Sequence, residues 1–141
     1  MSETTARPAR PRKEFRNITV PQILFSYRLP LAGKLSILHR VSGALLFLAL
    51  PIFLLPIFET SVASPESFEQ FRSFAAHPFS KLVLLVLIWA YLHHFCAGIR
   101  YLALDLHKGI DKASSARTAA AVFIVSLALT AVFGLKLFGA F

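Results

Sequence analysis

Three long apolar runs, at about residues 35–58, 79–104 and 115–138, constrain this chain more than any other feature. A bilayer core is crossed by roughly 20 apolar residues of helix, and a backbone placed there must satisfy its own polar groups, as a helix does internally. The runs therefore predict an all-α integral membrane protein with three transmembrane helices. Composition agrees: 56% of the 141 residues are hydrophobic and the mean hydropathy is +0.64. The formal charge of +8 could invite a nucleic-acid reading. That reading needs a solvated basic face, and the basic residues here sit in the tail and the short connections, so no nucleic acid is expected as a partner.

The residues before the first run are of another kind. Met1 to Arg16 is polar, with Arg7, Pro8, Arg10, Pro11, Arg12, Lys13 and Arg16, and no apolar signal-peptide core follows it directly. It reads as a disordered tail. Asn17 to Leu31 mixes Val20, Ile23, Leu24 and Tyr27 with Pro21, Arg28 and Pro30, the pattern of a segment lying at an interface or against a soluble partner, or of a linker. The chain thus divides into a tail and interfacial segment, 1–31, and a three-helix domain, 32–141.

Orientation follows from the Lys/Arg asymmetry. Eight basic residues precede Gly43, whereas the first connection, Glu59 to Ser80, holds Arg72 against Glu59, Glu66 and Glu69. The second connection, taken as Arg100 to Arg117, is again basic, with Lys108 and Lys112. This predicts a cytoplasmic N-terminus and an external C-terminus. Within the first connection, Ser64-Pro65-Glu66 reads as a capped helix start, and Phe68, Phe71 and Phe74 suit a short interfacial helix. Pro51 and Pro56 predict a kink in the first span. Ala116, Ala120, Thr130 and Gly134 predict close helix contact along the third.

Two polar clusters interrupt the apolar runs, and ionisable groups at such depth usually face a cavity, partner or ligand. Ser36, His39, Arg40 and Gly43 follow helical spacing and share one face near the N-terminal end of the first span. Arg40 suits a carboxylate such as a haem propionate, and Ser36 can donate to a carbonyl oxygen. The plain alternative is that His39 and Arg40 snorkel to lipid phosphates. In the second span Tyr91, His94, Gly98, Tyr101 and Asp105 form one stripe. His94 lies about 15 Å from the end of that helix by helical rise, deep enough for a candidate axial haem ligand, with Gly98 removing bulk one turn away. A structural histidine bonded between helices is the alternative. His93 points about 100° away from His94, so the two do not share one iron. His77 and His107 read as surface residues. Cys96 is the single cysteine, which excludes an internal disulfide and a Cys-x-x-Cys-His attachment of haem. The chain has no dinucleotide fingerprint and no cysteine set for an iron–sulfur cluster.

Tyr27-Arg28-Leu29-Pro30-Leu31, followed by Ser36-Ile37-Leu38-His39-Arg40-Val41-Ser42-Gly43 and then by His94-x-x-x-Gly98-Ile99-Arg100 with Asp105, resembles the two signatures of the cytochrome b membrane-anchor subunits of succinate dehydrogenase. Tyr101 stands where that family often has His or Phe, and Leu104 where an aromatic is usual. The resemblance implies that the three spans belong to a heteromeric helix bundle in a bacterial inner membrane. It implies one haem b shared with a second small membrane-anchor subunit, with His94 as this chain's axial iron ligand. It further implies Ser36 and Arg40 at a ubiquinone pocket, His39 and Arg40 near the haem propionates, and flavoprotein and iron–sulfur subunits on the cytoplasmic side. Asp105 is a candidate proton relay by its place in the stripe. The anchor of a fumarate reductase and a haem-free structural anchor are the competing readings.

Overall fold

A computed structural model describes residues 19–140, and within them every regular element is helical. A short helix α1, Val20–Phe25, starts at Thr19, whose backbone N–H is bonded by the Gln22 side chain at 2.9 Å. The disordered tail expected from Met1 to Arg16 lies outside the described residues. Pro30 then opens α2, Leu31–Ala49, which continues through a π-helical turn, Leu50–Leu54, into α3, Leu55–Ala63. The kink expected from the prolines takes this form. Pro51 has no N–H to give, and the ladder resumes one residue wider, with the Leu55 N–H bonded to the Leu50 carbonyl.

The interfacial helix of the first connection is α4, Pro65–Ala76. Ser64 Oγ accepts from the Ser67 N–H at 3.1 Å while Ser67 Oγ accepts from the Ser64 N–H at 2.9 Å, so two orphan donors are satisfied reciprocally. His77, exposed as expected, caps the next helix: its Nδ1 accepts from the Phe79 N–H at 3.2 Å. That helix is α5, Pro78–Asp105, and the last is α6, Lys112–Leu137. Asp111 caps α6, and hydrogen bonds from Ser114 hold its carboxyl below the ordinary aspartate range.

Leu31–Ala63, Pro78–Asp105 and Lys112–Leu137 are each long and apolar enough to cross a membrane. They pack pairwise, with the shared core at the end where the chain enters α2, built from Leu35, Ala97, Ala119 and Val122. Small residues set the approach. Ala119, Ser126 and Gly134 are the buried stripe of α6, and a Cβ on Gly134 would stand 3.0 Å from Leu85 Cδ1. This corrects the stripe drawn from sequence: Gly134 belongs to it, Ala120 and Thr130 flank it half-buried, and Ala116 is exposed. The second connection is also shorter than its basic residues implied. Arg100 is inside α5 and buried, and the link itself is only the stretch 106–111.

Within each span only 11%, 17% and 22% of the most apolar window is buried by the chain itself. Most of the helical surface is therefore left for lipid or other subunits.

Candidate functional site

His94 is where the two polar clusters meet. Its Nδ1 lies 3.0 Å from the backbone carbonyl oxygen of His39 and 3.3 Å from Ser42 Oγ. A carbonyl oxygen has no proton to give, so the Nδ1–H of His94 donates to it. The Ser42 hydroxyl donates to the same carbonyl at 2.9 Å. In the neutral tautomer this bond selects, the lone pair is on Nε2, the form in which a histidine ligates a metal with its other nitrogen fixed by a backbone carbonyl.

Helix α2 is shaped to admit this ring. A Cβ on Gly43 would stand 2.8 Å from His94 Cε1, closer than real Cβ contacts come, so only glycine lets the imidazole lie against α2. His39, one turn earlier on α2, packs against the same ring. Its ring stacks on that of His94, centroids 4.2 Å apart and planes 13° from parallel, and Tyr101 lies 5.0 Å from His39. The position of Gly98 is open: a Cβ there would meet nothing within 4 Å among the described residues.

The remaining candidates are Ser36 and Arg40 on α2 and Asp105 on α5. Ser36 is half-buried and Arg40 exposed, one turn apart on α2. Neither side chain has a hydrogen-bond partner among the described residues, which leaves both free for a ligand. Asp105 is exposed at the end of α5. Tyr91, assigned by spacing to the same stripe, is exposed and stacks on Phe95 at 6.3 Å.

His93 faces the opposite way and is fully buried. It stacks on Trp89 at 5.4 Å and lies 5.4 Å from Phe123 of α6, with Ser126 Oγ at a long 3.5 Å from its Nδ1. Arg100 is another buried polar group where α5 meets α6. Its Nε donates to Thr118 Oγ1 at 3.0 Å, and its Nη2 to the Ser115 hydroxyl at 3.0 Å and the Ser115 carbonyl at 3.2 Å. Sequence reasoning missed the roles of Ser42, Gly43 and Arg100. The signal for Arg100 was its place inside a helical period that continues to Asp105.

A three-span helical bundle, with one imidazole held by its Nδ1 and its Nε2 without a partner among the described residues, is the architecture of a multi-pass membrane protein. The comparisons place it further. Residues 13–133 match the model of the succinate dehydrogenase/fumarate reductase transmembrane subunits, and the chain belongs to that family. Among its curated relatives is the succinate dehydrogenase cytochrome b556 subunit of Coxiella burnetii (strain RSA 493 / Nine Mile phase I), 36% identical over 104 residues, which are 73% of this chain and 82% of that protein. The subunit of the same name from Rickettsia felis (strain ATCC VR-1525 / URRWXCal2) is 30% identical over 104 residues, covering 74% of this chain and 80% of the relative.

Proposed function

We propose that this chain is the cytochrome b anchor of a succinate:quinone oxidoreductase, holding haem b through His94 Nε2 and contributing to a ubiquinone-reduction site. The observation that carries the reading is the pair of constraints on His94. The His39 carbonyl fixes the proton on Nδ1, and Gly43 clears the space the ring occupies. These residues fit a haem: His94 would hold it from this chain, and a second small membrane subunit would supply the other protein ligand. The haem, when bound, supplies a reversible one-electron change at its iron. His39 and Arg40 would pair with its propionates, and the open position at Gly98 leaves room for the macrocycle or for the partner's helix.

Succinate oxidation releases two electrons and two protons at the flavoprotein partner, and the electrons reach the membrane through the iron–sulfur partner. Reduction of a quinone to its quinol consumes two electrons and two protons. Ser36 donates a hydrogen bond to one quinone carbonyl, Arg40 stabilises the negative charge that develops on the oxygen, and Asp105 passes protons in from the water at the end of α5. The Lys/Arg bias supports a cytoplasmic N-terminus in a bacterial inner membrane, with the soluble subunits on the same side. The family's description covers fumarate reductases as well, and the relatives' names favour the succinate-oxidising direction.

The test is a reduced-minus-oxidised spectrum of the purified complex, wild type against His94→Ala, at matched amounts of every subunit. A b-type signal lost in an assembled variant supports the assignment. A wild-type complex that holds all its subunits and no haem sinks it.

A further inference from the structure

We propose that the groove between α5 and α6 at the Arg100 end binds one anionic phospholipid, its phosphate at Arg100 and Lys108 and one acyl chain along the apolar floor. The groove has a volume of about 290 Å³, and its lining changes character along its length. Lys108, Arg100 and Thr118 stand toward the connection between the helices. Ile99, Ala121 and Val125 are among the residues that carry the wall onward, and none of the deeper lining is charged. From Leu104 to Cys96 on α5, and from Thr118 to Val125 on α6, the wall extends roughly 10–12 Å by helical rise, enough for the upper half of an acyl chain.

Arg100 makes this more than an apolar slot. It is 7% exposed, and its three hydrogen bonds go through Nε and Nη2 to neutral oxygens of Ser115 and Thr118. Its Nη1 has no acceptor among the described residues. The ion pair formed among those residues is Arg72 with Glu69 at 3.7 Å, in the other connection, so Arg100 is a buried guanidinium facing the groove without a carboxylate. Buried charge is costly unless paired. Asp105 is not in the lining, and Asp111 is committed to capping α6. A phosphodiester supplies the missing anion with acceptors suited to Nη1 and to the Lys108 ammonium. Its chains match the apolar remainder, which a soluble anion does not.

The test uses the full-length protein with the subunits that copurify, delipidated in mild detergent and offered equal phosphatidylglycerol and phosphatidylcholine, with retained lipids counted by native mass spectrometry. Wild type is expected to retain one phosphatidylglycerol in preference. Lys108→Ala is expected to weaken that preference about fivefold, the effect of one basic side chain near a headgroup. Ala121→Trp, which fills the groove from an exposed position, should abolish retention, whereas Leu48→Trp on another exposed apolar face should leave it unchanged. The proposal is overturned if Lys108→Ala and Ala121→Trp hold phosphatidylglycerol as wild type does. It is equally overturned if Ala121→Trp expels a membrane subunit, because the groove is then covered by protein.

Discussion

His93 and His94 are neighbours in sequence and opposites in situation. His94 is half-buried, its Nδ1 tied to α2 and its Nε2 left over; His93 is fully buried against α6, and its Nε2 has no partner among the described residues. One helix thus carries a histidine whose polarity is prepared for something outside the chain beside one whose polarity is an encumbrance. Both rings stack on aromatic neighbours, so stacking does not distinguish them. The difference lies in which nitrogen is satisfied, and by what.

The widest separation between the two is expected on truncation. His94→Ala should remove the b-type absorbance entirely from a complex that still assembles. His93→Ala should keep the absorbance and lower stability by roughly 2 kcal/mol, the usual range for a buried side chain cut back to a methyl, read as a lower midpoint in thermal unfolding. If both variants lose haem equally, the contrast collapses and the pair acts as one packed unit.

Next in size is the space that α2 yields. The 2.8 Å approach at Gly43 means that even one methyl displaces the imidazole by several tenths of an ångström. Overpacking of this kind costs about 1–3 kcal/mol, so Gly43→Ala should retain haem some fivefold to a hundredfold less well on dilution, and Gly43→Val should retain none. Haem retention unchanged in Gly43→Ala would show that the ring sits elsewhere when the haem is bound.

Much of this arrangement was legible before any coordinates. The three spans followed from apolar run length, because a bilayer leaves the backbone few alternatives. The α4 start was written locally in Ser64-Pro65, since a cap depends on residues within one turn. His94 and His39 were each marked by spacing on their own helices. What spacing could not show is how two helices meet. Gly43 was placed on the face of Ser36, His39 and Arg40, but its use depends on the height at which α5 crosses α2. Ser42 was invisible for the same reason, since its hydroxyl matters only because His94 arrives beside it. Arg100 was counted with a basic connection because charge suggested a loop, whereas Ser115 and Thr118 supply the oxygens that let it stay buried in α5. The small-residue stripe of α6 was misplaced because packing at 3.6 residues per turn decides which of several candidates turns inward.

The encumbrance of His93 can be tested in the other direction. His93→Phe keeps an aromatic ring between Trp89 and Phe123 and removes the Nε2 that nothing satisfies. The one contact given up is the long 3.5 Å approach of Ser126 Oγ, and that hydroxyl still donates to the Phe123 carbonyl at 3.3 Å. An unsatisfied buried polar atom costs about 1–3 kcal/mol, so the variant is expected to unfold at the same temperature as wild type or above it, with its haem spectrum intact. A variant that unfolds below wild type would show that the Nε2 meets a partner outside this chain.

The smallest effect is expected where neither histidine is involved. Helices α5 and α6 finish with the same pair of bonds: the N–H groups of His107 and Lys108 reach the Leu104 and Ala103 carbonyls, and those of Gly139 and Ala140 reach the Lys136 and Leu135 carbonyls. The residue that turns the chain is in the left-handed region each time, at φ 58° for His107 and 81° for Gly139. Only glycine takes that conformation without a Cβ penalty, about 1–2 kcal/mol for other residues, partly offset by the freedom a glycine gains in the unfolded chain. His107→Gly should therefore raise stability by roughly 0.5 kcal/mol and leave the haem spectrum unchanged. Because His107 is exposed and adjacent to Lys108, a loss of stability instead would mean that its imidazole is held by a neighbouring subunit or headgroup at this end of the bundle.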